Sequence, residues 1–195
     1  MTKHDASNGY DDVAEQFAAV RDQSSTSIDV VRAWAQNLAN EAAVLDLGCG
    51  TGMPISQSLI EDEFTVYGVD ASPTLLAEFD RQFPHMHSVC EPVETSTFFA
   101  RPFEGVVAIG LVFLLPPSEQ RSLLSRVASV LEDGGHFLFT SPCQVCEWTD
   151  VLTGRQSRSL GIDTYTTLLT EAGLTLVGNY TDEHNTFYFH AQNLD

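Results

Sequence analysis

Val44-Leu45-Asp46-Leu47-Gly48-Cys49-Gly50-Thr51-Gly52 is the stretch that decides the fold. Ala43 to Leu47 is a short apolar run with a single acid, bounded by glycine, which fits a strand buried on both faces. Glycines at alternate positions then allow a sharp turn and leave backbone N–H groups uncovered, because no Cβ holds a ligand away. Met53-Pro54 follows, and Pro54 suits the first turn of a helix. The order is therefore strand, glycine-rich turn, helix. That order receives nucleotide-like ligands at the carboxyl end of a strand in an open α/β sheet.

Two ligand classes compete for such a turn. The dinucleotide fingerprint Gly-x-Gly-x-x-Gly needs a glycine where this chain has Met53. The pattern present is Asp46-x-Gly48-x-Gly50-x-Gly52, and a carboxylate two residues ahead of the first glycine suits a cationic ligand better than a pyrophosphate. Further along, Phe64 to Asp70 reads as a second strand ending in an acid, 20 residues beyond Gly50. An acid at that distance accepts hydrogen bonds from a ribose diol, or else caps the helix that follows it. Ser72-Pro73 starts that helix, with Leu75, Leu76 and Phe79 on its inner face.

These two motifs resemble motif I and the ribose-holding motif of the class I S-adenosylmethionine-dependent methyltransferases, in the form of the small bacterial-type members that act on small molecules. The resemblance runs from about residue 40 to the C-terminus. It implies a doubly wound, Rossmann-like α/β fold: a seven-stranded, mostly parallel sheet with an antiparallel last strand and helices on both faces. It also implies S-adenosylmethionine as cofactor. Asp46, Gly48, Cys49, Gly50 and Gly52 would meet the methionine end, and Asp70 with Ala71 the ribose. Glu91 stands where relatives have an aspartate for the adenine amine, or is a loop glutamate facing solvent. Gly110 and Leu111, after the fourth central strand, would pass near the transferred methyl.

The remaining pattern agrees. Gly105 to Gly110 is a continuous apolar run fit for a central strand, and Ser118 to Leu131 is amphipathic with Leu123, Leu124 and Val127 inward. Asp133-Gly134-Gly135 stops that helix before the strand His136 to Thr140. A helix over Asp163 to Ala172 and a hairpin of Leu174 to Tyr180 with Thr186 to His190 close the chain. Ahead of the first strand, helical periodicity starts at Tyr10, breaks in the polar cluster Asp22 to Ser27, and resumes with Ile28, Val31, Trp34 and Leu38. We read residues 1–195 as one domain. Residues 1–40 form a helical cap, 41–195 the cofactor-binding core, and 141–161, a stretch without clear periodicity, an irregular acceptor-side lid.

Charge narrows the acceptor. Nine basic residues against 27 acidic ones give a net −18, a surface that repels nucleic acid and anionic membranes. The Asn-Pro-Pro-aromatic motif of nucleic-acid amino methylases is absent, and Phe113 and Leu114 stand where many small-molecule relatives carry two histidines. No run approaches about 18 apolar residues, and the first residues lack a signal-peptide profile. Of four cysteines, Cys49 in the glycine turn and Cys90 at a strand end are not placed for a structural disulfide, and the expectation is a reduced cytoplasmic protein. Cys143-x-x-Cys146, without a second ligand pair, gives no metal site.

The expected reaction is in-line methyl transfer from the sulfonium to a small-molecule acceptor. The alternatives are a catalytically silent domain that only binds S-adenosylmethionine, and a methylase of protein side chains. Candidates for the acceptor side are Tyr10, Arg21, Trp148 and His184, with Phe17, Arg155 and Arg158 as further contacts. Each has a plainer alternative: Tyr10 and Phe17 as a helix's core face, Trp148 as a packed anchor, the arginines as surface ion pairs, His184 as an exposed turn residue. The pattern leaves the acceptor atom and the oligomeric state open.

Overall fold

A computed structural model describes residues 5–21 and 26–194. The helices and strands run in chain order as follows: α1 (Ala14–Arg21), α2 (Ile28–Ala35), β1 (Ala43–Leu47), α3 (Ile55–Glu61), β2 (Thr65–Asp70), α4 (Pro73–Gln82), β3 (His87–Cys90), β4 (Phe103–Ala108), α5 (Pro117–Ala128), β5 (Leu131–Thr140), β6 (Val145–Thr149), β7 (Gln156–Leu160), α6 (Ile162–Glu171), β8 (Leu174–Thr181) and β9 (Phe187–Asn193). Seven strands form one sheet in the order β3-β2-β1-β4-β5-β9-β8. The first five are parallel to one another, and β9 is antiparallel to both β5 and β8.

Strand alternation explains why the sheet is covered twice. Leu45 and Leu47 of β1 point to a core shared with Val106 and Ala108 of β4, Phe137 and Phe139 of β5, and the inner faces of α5 and α6. Val44 points to the other core, with Val66, Val107, Leu138 and the inner residues Trp34, Leu59 and Phe79 of α2, α3 and α4. Central strands buried on both faces read as unbroken apolar runs, which is how β1 and β4 look in the sequence. On one face, Phe139 stacks on Phe189 of β9 with ring centroids 4.7 Å apart, joining the antiparallel strands to the parallel set.

The chain departs from its sequence reading chiefly in two places; besides these, Asp133-Gly134-Gly135, expected to stop a helix reaching Leu131, lies within β5, because α5 already ends at Ala128. Helical periodicity starts at Tyr10, but α1 starts at Ala14; the residues just before it are turns, organised by Asp5, which accepts from the Ser7 and Gly9 N–H groups at 3.0 and 2.8 Å. Local side-chain acceptors compete with helix for those backbone donors, and here they win. The second departure is 141–161. It contains a β-hairpin, β6 paired antiparallel with β7, apart from the main sheet. Of the polar cluster 22–27, residues 22–25 lie outside the described part. Among the described residues no helix is long and apolar enough to cross a membrane.

Candidate functional site

After β1 the chain moves outward through β2 to β3 and returns to pair β4 on the other side of β1. The loops leaving β1 and β4 therefore diverge, and a crevice opens at their carboxyl ends. A cavity of about 390 Å³ lies there. Its floor includes Gly48 and Gly50 after β1, Asp70 and Ala71 after β2, and Gly110 and Leu111 after β4.

The turn after β1 is tied to β2 at three points. Gly48 and Cys49 donate their N–H groups to the Val69 carbonyl at 2.8 and 3.2 Å, and Gly50 N–H donates to Asp70 Oδ2 at 2.8 Å. Asp70 Oδ1 accepts from Ser72 N–H at 2.8 Å, so both oxygens are held while the residue faces the cavity. Burial pushes the Asp70 carboxyl up, and the N–H groups of Ser72, Gly50 and Ala71 partly offset it. Gly50 has φ +55°, and a Cβ there would come within 3.2 Å of the Phe17 ring of α1, which closes over the turn. Gly52 serves packing. At φ +84°, its Cβ would sit 2.5 Å from Phe83 and 2.9 Å from Phe79.

Asp46 is fully enclosed and accepts from Ser56 Oγ of α3 at 2.6 Å. Burial raises its carboxyl pKa to about 6, against the pull of Ser56 and of the Arg21 charge. Arg21, at the end of α1, lines the cavity; burial lowers its pKa while Asp46, Tyr188 and Tyr10 oppose the change.

The roof is built from distant parts of the chain. Ser7, Asn8 and Tyr10 come from the N-terminal segment, Phe113 from the turn after β4, and Trp148 and Asp150 from the β6–β7 hairpin. Tyr10 donates to Asp150 Oδ2 at 3.1 Å, and Arg155 of the hairpin meets Asp5 at 2.6 Å. Asp11 anchors the same segment to α4, accepting from Ser72 Oγ at 2.6 Å and Thr74 N–H at 3.0 Å. Burial and the Asp150 charge push the Tyr10 hydroxyl pKa far up, so Tyr10 stays protonated. Burial works against charge on Asp150, but hydrogen bonds from Thr153, Tyr10 and Leu152 outweigh it and hold its carboxyl below the ordinary value.

The hairpin is fixed from beneath by buried polar groups. Tyr165 of α6 donates to Gln120 Oε1 of α5 at 2.7 Å and accepts from Leu160 N–H at 3.2 Å. Gln120 in turn donates to the carbonyls of Leu115 and Arg158.

Of the residues singled out in the sequence, Gly48, Gly50, Asp70, Ala71, Gly110, Leu111, Tyr10, Phe17, Arg21 and Trp148 line this one cavity. Asp46, Cys49, Gly52 and Glu91 do not. Asp46 and Cys49 sit beneath the turn, and the wall where Glu91 was expected is made by Val93 and Glu94. His184 also lies elsewhere, on an exposed turn beside Glu183. Arg155 and Arg158 pair with Asp5 and Glu147 and do not reach the cavity. Asn8, Asp150 and Thr186 were missed. They carry no motif, and only long-range contacts bring them here.

The strand order, the glycine turn and the crevice at the point of strand reversal define a doubly wound α/β domain with a cavity between β1 and β4. Residues 44–135 match the family model described as a methyltransferase domain. That match takes in the glycine turn after β1, Asp70 and β4, and it spans just under half of the chain. The chain is 32% identical over 107 residues to the aklanonic acid methyltransferase DauC of a Streptomyces species (strain C5), covering 51% of this chain and 47% of that protein. It is also 32% identical over 102 residues to the carboxy-S-adenosyl-L-methionine synthase of Chromohalobacter salexigens, covering 48% of this chain and 37% of that one. The chain thus spans less than half the length of these two relatives. In fold it is similar to the 1,6-didemethyltoxoflavin-N1-methyltransferase of Burkholderia thailandensis, with TM-score 0.78, 21% identity, and coverage of 97% of this chain and 89% of that one. It is likewise similar to the CcbJ methyltransferase of Streptomyces caelestis, with TM-score 0.73, 16% identity, and coverage of 96% and 97%.

Proposed function

We propose that this protein is an S-adenosylmethionine-dependent methyltransferase acting on a small-molecule acceptor. The observation that carries the reading is one roofed cavity at the carboxyl ends of β1 and β4. One space joins the glycine turn and Asp70 to Tyr10, Phe113 and Trp148, so a donor and an acceptor can meet there away from bulk water. The donor fits the floor. Asp70 is held by two backbone N–H groups and retains lone pairs for a ribose diol. Gly110 leaves open space, with nothing within 4 Å of a Cβ built there. Arg21 stands by Asp46, at the end of the cavity where a methionine carboxylate would need a cation. Glu91, whose N–H bonds the Asp70 carbonyl, and the lining residues Val93 and Glu94 stand on the side where the adenine would lie.

The bound donor supplies an electrophilic methyl on sulfur, ready for in-line displacement. The protein's share is positioning and exclusion of water. The Gly110 loop is pinned by its N–H to Thr140 Oγ1 at 2.7 Å, which fixes the floor under the reacting atoms. Phe17 closes over the glycine turn, Trp148 and Phe113 bound the acceptor side, and Tyr10 is steadied by Asp150. The segment ahead of β1 acts as the cap and the β6–β7 hairpin as the lid. The roof argues against a protein side chain as acceptor, and the net −18 against nucleic acid.

The test is calorimetric binding of S-adenosylhomocysteine, followed by turnover of S-adenosylmethionine against a metabolite panel. Micromolar binding with acceptor-dependent release of S-adenosylhomocysteine is expected. No binding at millimolar concentration overturns the reading, and binding without turnover on any small molecule reduces it to a silent cofactor-binding domain.

A further inference from the structure

A second cavity, of about 470 Å³, adjoins the first and shares with it the walls Phe113, Thr140, Trp148 and Thr186. The Phe113 and Trp148 rings form the partition, with centroids 5.2 Å apart and planes tilted by 50°. Behind it the floor is Pro142 and Phe187, and the rim is Gln144, Thr181 and Asn185. These three rim residues are exposed, so this chamber opens to solvent.

The two chambers differ in charge. The first is lined by Arg21, Asp70, Glu94 and Asp150; none of the described residues lining the second carries a charge. The nearest arginines are committed to Asp5 and Glu147, and Asp182 is taken up by the Tyr188 hydroxyl and the N–H groups of His184 and Thr186. An anion placed here would lose water against the charge of Asp182, and a cation would find both Asp182 oxygens already occupied by neutral donors. The side chains of Gln144 and Asn185, in contrast, make no hydrogen bond within the described structure, and the aromatic walls offer faces for a flat ring.

We propose that this chamber holds the far end of the acceptor and selects an acceptor whose far end is an uncharged ring with hydrogen-bonding substituents. The proposal rests on the small-molecule methyltransferase reading and names the substrate class. The attacking atom lies in the first chamber, and the acceptor crosses beside the Phe113–Trp148 contact, along Thr140 and Thr186, which line both chambers.

Cys143 lines the second chamber only and is half-buried, whereas Cys90 is exposed on the far side of the sheet order. This gives a readout independent of turnover. Protein saturated with S-adenosylhomocysteine is treated with N-ethylmaleimide, and labelling of Cys143 and Cys90 is followed by peptide mass mapping. The competing probes are naphthamide, naphthoate and naphthylmethylammonium, which share one ring system and carry no charge, a negative charge and a positive charge. Naphthamide should protect Cys143 at a concentration roughly tenfold lower than either ion, with Cys90 unprotected. In Asn185→Asp the cation should gain roughly tenfold on the other two. Equal protection by naphthoate, or no protection of Cys143 by any probe at millimolar concentration, overturns the proposal. The labelling is repeated without S-adenosylhomocysteine, so a protein that fails to bind that nucleoside refutes the methyltransferase reading while the chamber's preference is still measured.

Discussion

The floor of the site and its roof are built by different means. The floor is backbone: N–H groups of the turn after β1 bond to Val69 and Asp70, one strand away, and the geometry follows from strand pairing. The roof is side chains: Tyr10 reaches Asp150 across 140 positions, and Arg155 reaches Asp5 across 150. A backbone-built floor constrains which residues can stand there, so substitutions should cost folding or donor affinity. A side-chain roof is a set of modest polar contacts, each separately removable, so substitutions should change closure and leave the sheet intact.

The largest expected effect tests the floor. Gly52→Ala forces a left-handed backbone on an alanine and drives its Cβ into Phe83 and Phe79. We expect a loss of about 3–4 kcal/mol in denaturant unfolding, from backbone strain and overpacking together. A loss below about 1 kcal/mol would mean that the turn is soft.

Acid titration separates a floor residue from a sheet residue. Asp46 titrates near about 6 in the folded protein against an ordinary 3.8, so the folded state keeps a proton that the unfolded chain has released. Its contribution makes stability fall as pH rises from 3.8 to 6. His190, buried and hydrogen-bonded to His136 at 2.8 Å, is lowered by burial from 6.5 to about 4. The unfolded chain then binds a proton that the folded one refuses, and stability rises with pH from 4 to 6.5. The two contributions oppose each other across nearly the same window. In Asp46→Asn the first is gone, and the change in stability from pH 4 to pH 6.5 should exceed the parent's by about 2 kcal/mol in the direction of a rise. Unfolding midpoints across that range measure it, and an unchanged slope relative to the parent would remove Asp46 from the account.

Donor affinity comes next. Asp70→Ala should weaken S-adenosylhomocysteine binding by about 2 kcal/mol, as expected for charge-assisted hydrogen bonds to the ribose. Calorimetry measures this, and an unchanged affinity would overturn the ribose assignment. On the roof, Tyr165→Phe strands Gln120 Oε1 and Leu160 N–H. It should cost about 1–2 kcal/mol, with faster amide exchange over β7 and none over β1 or β4. The smallest effect is Arg155→Ala, which removes a partly exposed ion pair. It should lower stability by less than about 0.5 kcal/mol while raising proteolysis of the N-terminal segment.

The same division decides what could be read in the chain. β1, its glycine turn, Asp70 and the unbroken apolar run of β4 were legible because each is local: a few adjacent residues dictate a strand, a turn or a strand end. The closing order, α6 followed by β8 and β9, was legible through the family resemblance. The β6–β7 hairpin was not. Its strands alternate regularly in burial, but the buried positions of β7 are Ser157 and Ser159, so no apolar period marks them, and β7 is held by Gln120 and Tyr165, residues on other elements. Asn8 and Thr186 carry no local signature, and only the folded sheet brings them to the cavity. Glu91 was expected by analogy of position; it follows β3 with its N–H on the Asp70 carbonyl, while Val93 and Glu94 line the cavity.

The N-terminal segment takes no part in any ladder; the earliest strand residue is Ala43. It touches the remainder through Asp5, Tyr10 and Asp11. Architecture and enclosure are thereby uncoupled: excising residues 5–12 strips one wall from the crevice and severs the tie between hairpin and α4, yet every inter-strand pairing survives. A truncated chain of that kind measures how much of the binding energy comes from shelter alone.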